Sequence, residues 1–136
     1  MKLSTRSRYA LRALLDLMKH HNTDPISIKD IAGRQKISER YLENIFHDLR
    51  KSGILSSVKG KNGGFFPGCD LREVTLLQII EILEGDIRIV DCTARPEECT
   101  RAEECLSRPV WTNLNAKFCD YLSKIRLSDI KGCDDV

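Results

Sequence analysis

The chain has 136 residues, of which 41% are hydrophobic and 31% are charged, so it suits one compact domain with a modest core. No apolar run approaches the roughly 18 residues that a membrane span needs, and residues 1–6 lack the apolar stretch of a signal peptide, so we expect a cytoplasmic protein without membrane contact. Residues 1–64 carry 13 Lys/Arg against 6 Asp/Glu and residues 65–136 carry 9 against 14, which favours an N-terminal half that meets a polyanion.

Two helices are predicted in the first part of the chain. Apolar residues recur at helical spacing over residues 4–21, which predicts the first helix. Ser27 with Asp30 resembles a capping box and opens a short second helix. We expect this helix to end where Gly33 and the polar residues after it lead into a tight turn.

A third helix over residues 39–51 follows that turn, capped by Ser38 and ended by Gly53, so the pair forms a helix-turn-helix. Its polar face suits the major groove of B-DNA, where Arg pairs with guanine, Asn with adenine and Glu with cytosine. The candidate DNA contacts on this helix and its cap are Ser38, Arg40, Tyr41, Glu43, Asn44 and Arg50.

A β-hairpin is predicted next. Residues 54–58 form one strand, and the returning strand begins at Phe65, because a tight glycine-rich turn separates the two apolar runs. Backbone N–H groups and lysines at such a tip can approach phosphates or the minor groove. The candidate DNA contacts in this wing are Lys59, Gly60 and Lys61.

Two further helices are predicted in the second half. Thr75 with Gln78 forms a capping-box pattern for a fourth helix that runs to about Leu83 and is closed by Gly85. A last long helix begins at Pro109, a natural first helical residue. Its apolar residues step by three or four, and this heptad-like seam predicts a helix–helix dimer contact through Trp111, Leu114, Phe118, Tyr121 and Ile125.

The predicted fold is therefore mostly α-helical with a small β-hairpin. We assign residues 1–85 to a winged helix-turn-helix DNA-binding domain, residues 86–108 to a cysteine-bearing cluster loop and residues 109–136 to a dimerisation helix and tail. The function predicted is DNA-binding transcription regulation. An enzyme is not expected, because the sequence has no nucleophile–base–orienter set, no H-E-x-x-H and no P-loop.

The sequence also resembles a family of winged-helix regulators that includes the iron–sulfur cluster regulator IscR, the nitric-oxide-sensing repressor NsrR and the cysteine-metabolism repressor CymR. The resemblance covers essentially the whole chain and is densest in residues 1–10, 37–43, 49–53 and 60–64. It implies a homodimer, expected to be a repressor, on a palindromic operator in double-stranded DNA. A long helix from each subunit would form the interface.

Three of the six cysteines, Cys92, Cys99 and Cys105, fall within 14 residues. Soft thiolates gathered in a cytosolic loop suit an iron–sulfur cluster or zinc, although the absence of a C-x-x-C pair argues against a zinc ribbon. Family members that hold a 2Fe–2S or 4Fe–4S cluster do so with three cysteines at closely similar spacing, the first gap being one residue longer here. The resemblance therefore implies cluster ligation by these three residues and sensing of iron–sulfur, redox or nitric-oxide status. No role is assigned to Cys69, Cys119 and Cys133.

A fourth cluster ligand is not identified by the resemblance. Where IscR has a histidine this chain has Arg108, and where NsrR-like members borrow a carboxylate it has Arg8; neither guanidinium can serve. A water, a small thiol or a nearby carboxylate could take the place, the carboxylate candidates being Asp91, Glu103 and Glu104. The alternative is a cluster-free regulator that is controlled by a protein partner, as in CymR-like members, or by thiol oxidation.

Overall fold

A computed structural model describes residues 2–93 and 95–130. This part of the chain contains α1 (Thr5–His20), α2 (Ile28–Gln35), α3 (Glu39–Lys51), β1 (Leu55–Val58), β2 (Gly64–Pro67), α4 (Leu76–Glu84) and α5 (Arg108–Ser123). The mostly helical fold with one hairpin is confirmed. Residues 131–136 of the predicted tail, with Cys133, lie outside the described residues. No described helix is both long and apolar enough to cross a membrane.

Four of the helices begin where a hydroxyl side chain accepts a hydrogen bond from a backbone N–H three residues on. These caps are Ser4, Ser27, Ser38 and Thr75. In α4 the cap is a complete capping box, because the Gln78 side chain also accepts from the Thr75 N–H. All four starts agree with the sequence-based prediction, since each depends only on neighbouring residues.

Helix α2 is longer than predicted, and the expectation that Gly33 starts the turn is wrong. The helix passes through Gly33 and ends at Gln35, and the chain turns at Lys36 with φ at 55°. Gly33 is tolerated inside the helix because the tertiary contacts of Ile31, which is fully buried, and of Gln35 offset its weak helix propensity.

The core joins α1, α3 and the hairpin. Phe46 of α3 is fully buried and meets Phe65 of β2 edge-on, with ring centroids 5.0 Å apart. The chain returns to this core after α5, because Leu127 is buried there and its N–H donates to the Val74 carbonyl at 2.9 Å. The fully buried residues of α1 and α3 in this core are Ala10, Ala13, Leu14, Leu17, Leu42, Ile45, Phe46 and Leu49.

A buried carboxylate fixes α1 to the end of α2. Only 1% of the Asp16 side chain is exposed. It accepts hydrogen bonds from the Arg34 guanidinium, the shortest at 2.6 Å, and from Gln35 Nε2 at 2.8 Å. Arg12 also donates to the Gln35 side chain at 3.3 Å. These contacts set the position of the residues that lead directly into the turn before α3.

Helix α5 ends earlier than the predicted seam. Its last residue is Ser123, so Ile125 lies beyond the helix and the prediction that the helical seam continues to this residue is wrong. The Ile125 carbonyl instead accepts from the Leu76 N–H at 2.8 Å. The chain leaves the helix here because Thr75 and Arg126 pair as an isolated β-bridge, which draws the segment towards the start of α4.

Candidate nucleic-acid interface and cysteine loop

Helix α3 divides into a buried stripe and a polar outer face. Ser38, Arg40, Glu43 and Asn44 are exposed, whereas Tyr41 is half-buried. A shallow groove of about 400 Å³ at the start of the helix is lined by Ser38, Arg40, Tyr41 and Asn44. The structure therefore brings four of the predicted contacts together at one end of α3, and Glu43 lies on the same short stretch.

Helix α1 contributes to this face, which the sequence analysis missed. Arg6 donates to the Asn44 side-chain oxygen at 2.6 Å and also forms an ion pair with Asp48. Beside it, the Tyr9 and Tyr41 rings meet edge-on with centroids 5.8 Å apart. The opposite charges of Arg6 and Asp48 were the available sequence signal, but pairing them requires knowing how α1 crosses α3.

The wing, residues 55–67, projects its basic turn into solvent. Lys59, Gly60 and Lys61 are exposed at its tip, and Gly60 has φ at 112°, a conformation that favours glycine. The strands pair antiparallel with Leu55 opposite Pro67 and Val58 opposite Gly64.

Strand β2 of the wing is anchored, close to its turn, to the segment before α2. Ile26 and Phe65 exchange two backbone hydrogen bonds of 2.8 Å each. A Cβ on Gly64 would overlap the Ile26 carbonyl, so this position accepts only glycine without movement. Arg50 donates to the Ser57 hydroxyl at 3.1 Å and so connects the end of α3 to β1. The wing is thereby held in a fixed place beside α3.

Two of the three clustered cysteines share a cavity. Cys92 follows directly on Asp91 in a short 3₁₀ turn, Cys99 ends another, and both line a cavity of about 370 Å³. The same cavity is lined by Asp91 and by Glu98, a carboxylate that the sequence analysis did not consider. Glu98 is paired with Arg95 at 2.8 Å.

Cys105 stands apart from this cavity. Its sulfur lies 3.3 Å from the Ser107 hydroxyl, and hydrogen bonds from Ser107 and from the Arg108 backbone lower the pKa of the Cys105 thiol. Within residues 2–93 and 95–130, no three His, Cys, Asp or Glu side chains come close enough together to hold a metal ion. The candidate ligands Glu103 and Glu104 are exposed and do not line the cavity of the other two cysteines.

The other described cysteines favour the protonated thiol. Burial, with the nearby Asp70 charge, raises the pKa of the Cys69 thiol, and burial with the Glu81 charge does the same for Cys119. A raised pKa reduces the fraction of thiolate, and the thiolate is the form that reacts and binds metals.

Several large apolar side chains of α5 are exposed. Val110, Trp111, Leu114 and Tyr121 are all exposed, Leu114 by 47% and Tyr121 by 65%. Phe118 is half-buried against the chain's own N-terminal residues, with Lys2 and Leu3 lining the same small cavity. Four of the five predicted seam residues therefore lie on α5, and three of these four face solvent.

Comparison with known proteins places this geometry among transcriptional regulators. The chain matches the profile of the Rrf2 family of iron-dependent transcriptional regulators over residues 3–132. The HTH-type transcriptional regulator IscR of Photorhabdus laumondii is 35% identical, over all of this chain and 82% of its own length.

Solved structures agree with the sequence matches. A transcriptional regulator of Listeria innocua superposes with a TM-score of 0.80 at 36% identity, over 95% of this chain and 85% of its own. T. potens IscR gives 0.74 at 32% identity, over 95% and 85%. The oxidized form of Staphylococcus aureus CymR gives 0.70 at 30% identity, over 94% of each chain.

Proposed function

The chain belongs to the Rrf2 family of transcriptional regulators, and on this basis we propose that it reads double-stranded DNA with α3 and the wing and acts as a repressor. The supporting observation is that the exposed polar end of α3 lies beside a rigidly anchored hairpin with two lysines at its tip. One element suits the major groove, and the other suits phosphates or the adjacent minor groove. We further propose a cytoplasmic location, because chromosomal DNA lies in the cytoplasm of bacteria such as those that hold its relatives.

The wing lysines are expected to contact phosphates. Lys59→Ala and Lys61→Ala should each weaken binding to all duplexes alike and lower the slope of log affinity against log salt by about one. Fluorescence anisotropy with a random-sequence duplex over a range of salt concentrations measures both quantities. Lys124→Ala is the matched control, because Lys124 pairs with Asp120 at the far end of α5. An unchanged salt slope in both wing variants would contradict the assignment.

We also propose that the protein is a homodimer, with α5 of each subunit at the interface and a palindromic operator as the binding site. The support is the exposed apolar set on this helix, because large exposed apolar patches mark interaction surfaces. A symmetric dimer would place two recognition helices about one DNA turn apart, which suits two half-sites.

The dimer proposal predicts that one charge on this face separates the subunits. Leu114→Glu should convert a dimeric protein into a monomer, because it buries an unpaired carboxylate in the interface. Analytical ultracentrifugation measures the change. Thr112→Glu, at another exposed position of the same helix, is the control for the added charge. A wild-type protein that sediments as a monomer at high concentration would refute the proposal.

For the cofactor, we propose that Cys92, Cys99 and Cys105 hold a 2Fe–2S or 4Fe–4S cluster, which supplies sensitivity to iron–sulfur, redox or nitric-oxide status. The residue types fit such a cluster, because thiolates are its usual ligands and the pKa of Cys105 is lowered. Cys105 lies outside the cavity of Cys92 and Cys99, so cluster binding requires the loop to bring it closer to them. Two of the thiols share one cavity with Asp91 and Glu98, which are therefore better placed than Glu103 or Glu104 to supply another ligand.

The position of the cavity supports a link to the rest of the molecule. The turn that carries Cys92 packs against α5, and the Ile89 N–H just before it donates to the Asn115 side chain at 2.8 Å. A change in how these cysteines are held would therefore act directly on the proposed dimer helix, and through it on the spacing of the two DNA-reading heads.

The second candidate is a cluster-free regulator that responds to thiol oxidation or to a protein partner. It is favoured by the shared cavity of Cys92 and Cys99 and by the likeness to CymR, one structure of which is of an oxidized form. The two candidates differ in one observable, since only the first requires iron and sulfide bound by the clustered cysteines.

A further inference from the structure

Arg6 of α1 contacts a candidate base-reading residue of α3. It lies in the first turn of α1, and its guanidinium reaches across to two residues one helical turn apart on α3. One terminal nitrogen donates to Asn44 Oδ1 at 2.6 Å, and the other donates to the Asp48 carboxylate. The Arg6 guanidinium therefore holds Asn44, a candidate base-contacting residue, from the α1 side.

The direction of these bonds fixes the orientation of the Asn44 amide. A guanidinium has five N–H donors and no acceptor, so the group facing it must be the amide oxygen and not the NH₂. The oxygen is turned towards α1, and the Nδ2 donors are left at the opposite end of the amide. The ion pair with Asp48 holds the guanidinium in place while it makes this contact.

This orientation disfavours the usual pairing of Asn with adenine, because Arg6 already occupies one of the two lone pairs of the amide oxygen and turns that oxygen towards α1. That pairing is bidentate and needs the amide oxygen to accept from N6 while the NH₂ donates to N7. We propose that Arg6 is a specificity-determining positioning residue, which holds Asn44 as a hydrogen-bond donor for an acceptor on the DNA. The acceptors that fit are guanine N7 or O6, thymine O4, or a phosphate oxygen.

The Arg6 proposal rests on the proposed DNA binding by α3. The first measurement distinguishes failure of DNA binding from failure of the Arg6 proposal. Wild-type binding to a random-sequence duplex is measured by anisotropy, and sequence preference is then obtained by selecting bound duplexes from a random pool. If the wild type binds no duplex, both proposals fail. If it binds with preferences that do not respond to Arg6, only the Arg6 proposal fails.

The deciding variants are Arg6→Leu, Asn44→Ala and their double variant, with Arg8→Leu as the matched control. Arg8 lies two residues further along α1, is exposed, and within the described part of the chain its guanidinium hydrogen-bonds to Thr5 and not to α3. Its replacement therefore removes the same charge without touching Asn44. We expect a guanine or thymine preference that Asn44→Ala abolishes and that Arg6→Leu shifts towards adenine by about tenfold. The double variant should show neither preference.

A phosphate acceptor would give a different supporting result. Asn44→Ala would then weaken binding to all sequences equally. Arg6→Leu would weaken binding by the same factor as Asn44→Ala, after the effect of Arg8→Leu is subtracted. Asn44→Asp would weaken binding further, because its side chain has no donor. Asn44 is exposed, so Asn44→Asp also tests the proposal if Arg6→Leu fails to fold. A wild-type adenine preference that depends on Asn44, or an Arg6→Leu variant that behaves like Arg8→Leu, would overturn the proposal.

Discussion

Replacing Cys92 by alanine should abolish the incorporation of iron and sulfide into the protein. Cys92 and Cys99 line the same cavity, and removal of one of three thiolates leaves too few soft ligands for a cluster. The measurement is the visible spectrum with iron and acid-labile sulfide content after anaerobic purification. Cys69→Ala is the matched control, because Cys69 lies outside the loop and its thiol favours the protonated form.

Two outcomes would contradict the cluster. A Cys92→Ala variant that keeps as much iron as the wild type would show that these cysteines are not the ligands. A wild-type protein that stays colourless after reconstitution with iron and sulfide would favour the thiol or protein-partner alternative. If the thiol alternative holds, the DNA affinity should change with thiol oxidation and recover on reduction, which cluster loss does not predict.

Asp16→Asn should lower the free energy of unfolding by about 2–3 kcal/mol at neutral pH. The wild-type carboxylate is buried and accepts hydrogen bonds from Arg34 and Gln35, so the variant loses charge-assisted bonds and leaves donors poorly matched. Removing the partner of a fully buried charge costs more free energy. Arg34 is partly exposed, so its guanidinium can hydrogen-bond to water in the variant. Urea denaturation followed by circular dichroism measures the change.

The control for this variant is Asp120→Asn, which breaks an exposed ion pair with Lys124 of nearly equal length. Exposed pairs contribute below about 1 kcal/mol, so this variant should be close to the wild type in stability. An equal effect of the two substitutions would mean that burial of Asp16 does not matter to its energetic role.

The stability contributed by Asp16 should also depend on pH. Burial raises the pKa of its carboxyl, but the hydrogen bonds from Arg34 and Gln35 and the charges of Arg34 and His20 outweigh burial, so the pKa is below its ordinary value. The contribution is therefore fully present above the unfolded pKa of about 3.9 and is lost as pH falls through the lower folded pKa. The difference between wild type and Asp16→Asn should shrink in that acid range. A difference that stays constant there would refute this reading.

The sequence determined the features that depend on near neighbours. Ser38 caps α3, and a glycine-rich turn between two short apolar runs forms the wing, because caps and turns involve residues within a few positions of each other. The same local evidence located the exposed face of α3 and the clustering of the three cysteines along the chain.

Only the tertiary structure decided which distant groups meet. Arg6 reaches Asn44 across 38 positions, and Ile125 leaves the helical seam to pair with the start of α4. The loop brings Cys92 and Cys99 to one cavity and leaves Cys105 outside it, although the spacing treats all three alike. These contacts depend on the angle at which packed helices cross and on the path of a loop. Both are set by the packing of the whole core, which no short stretch of sequence contains.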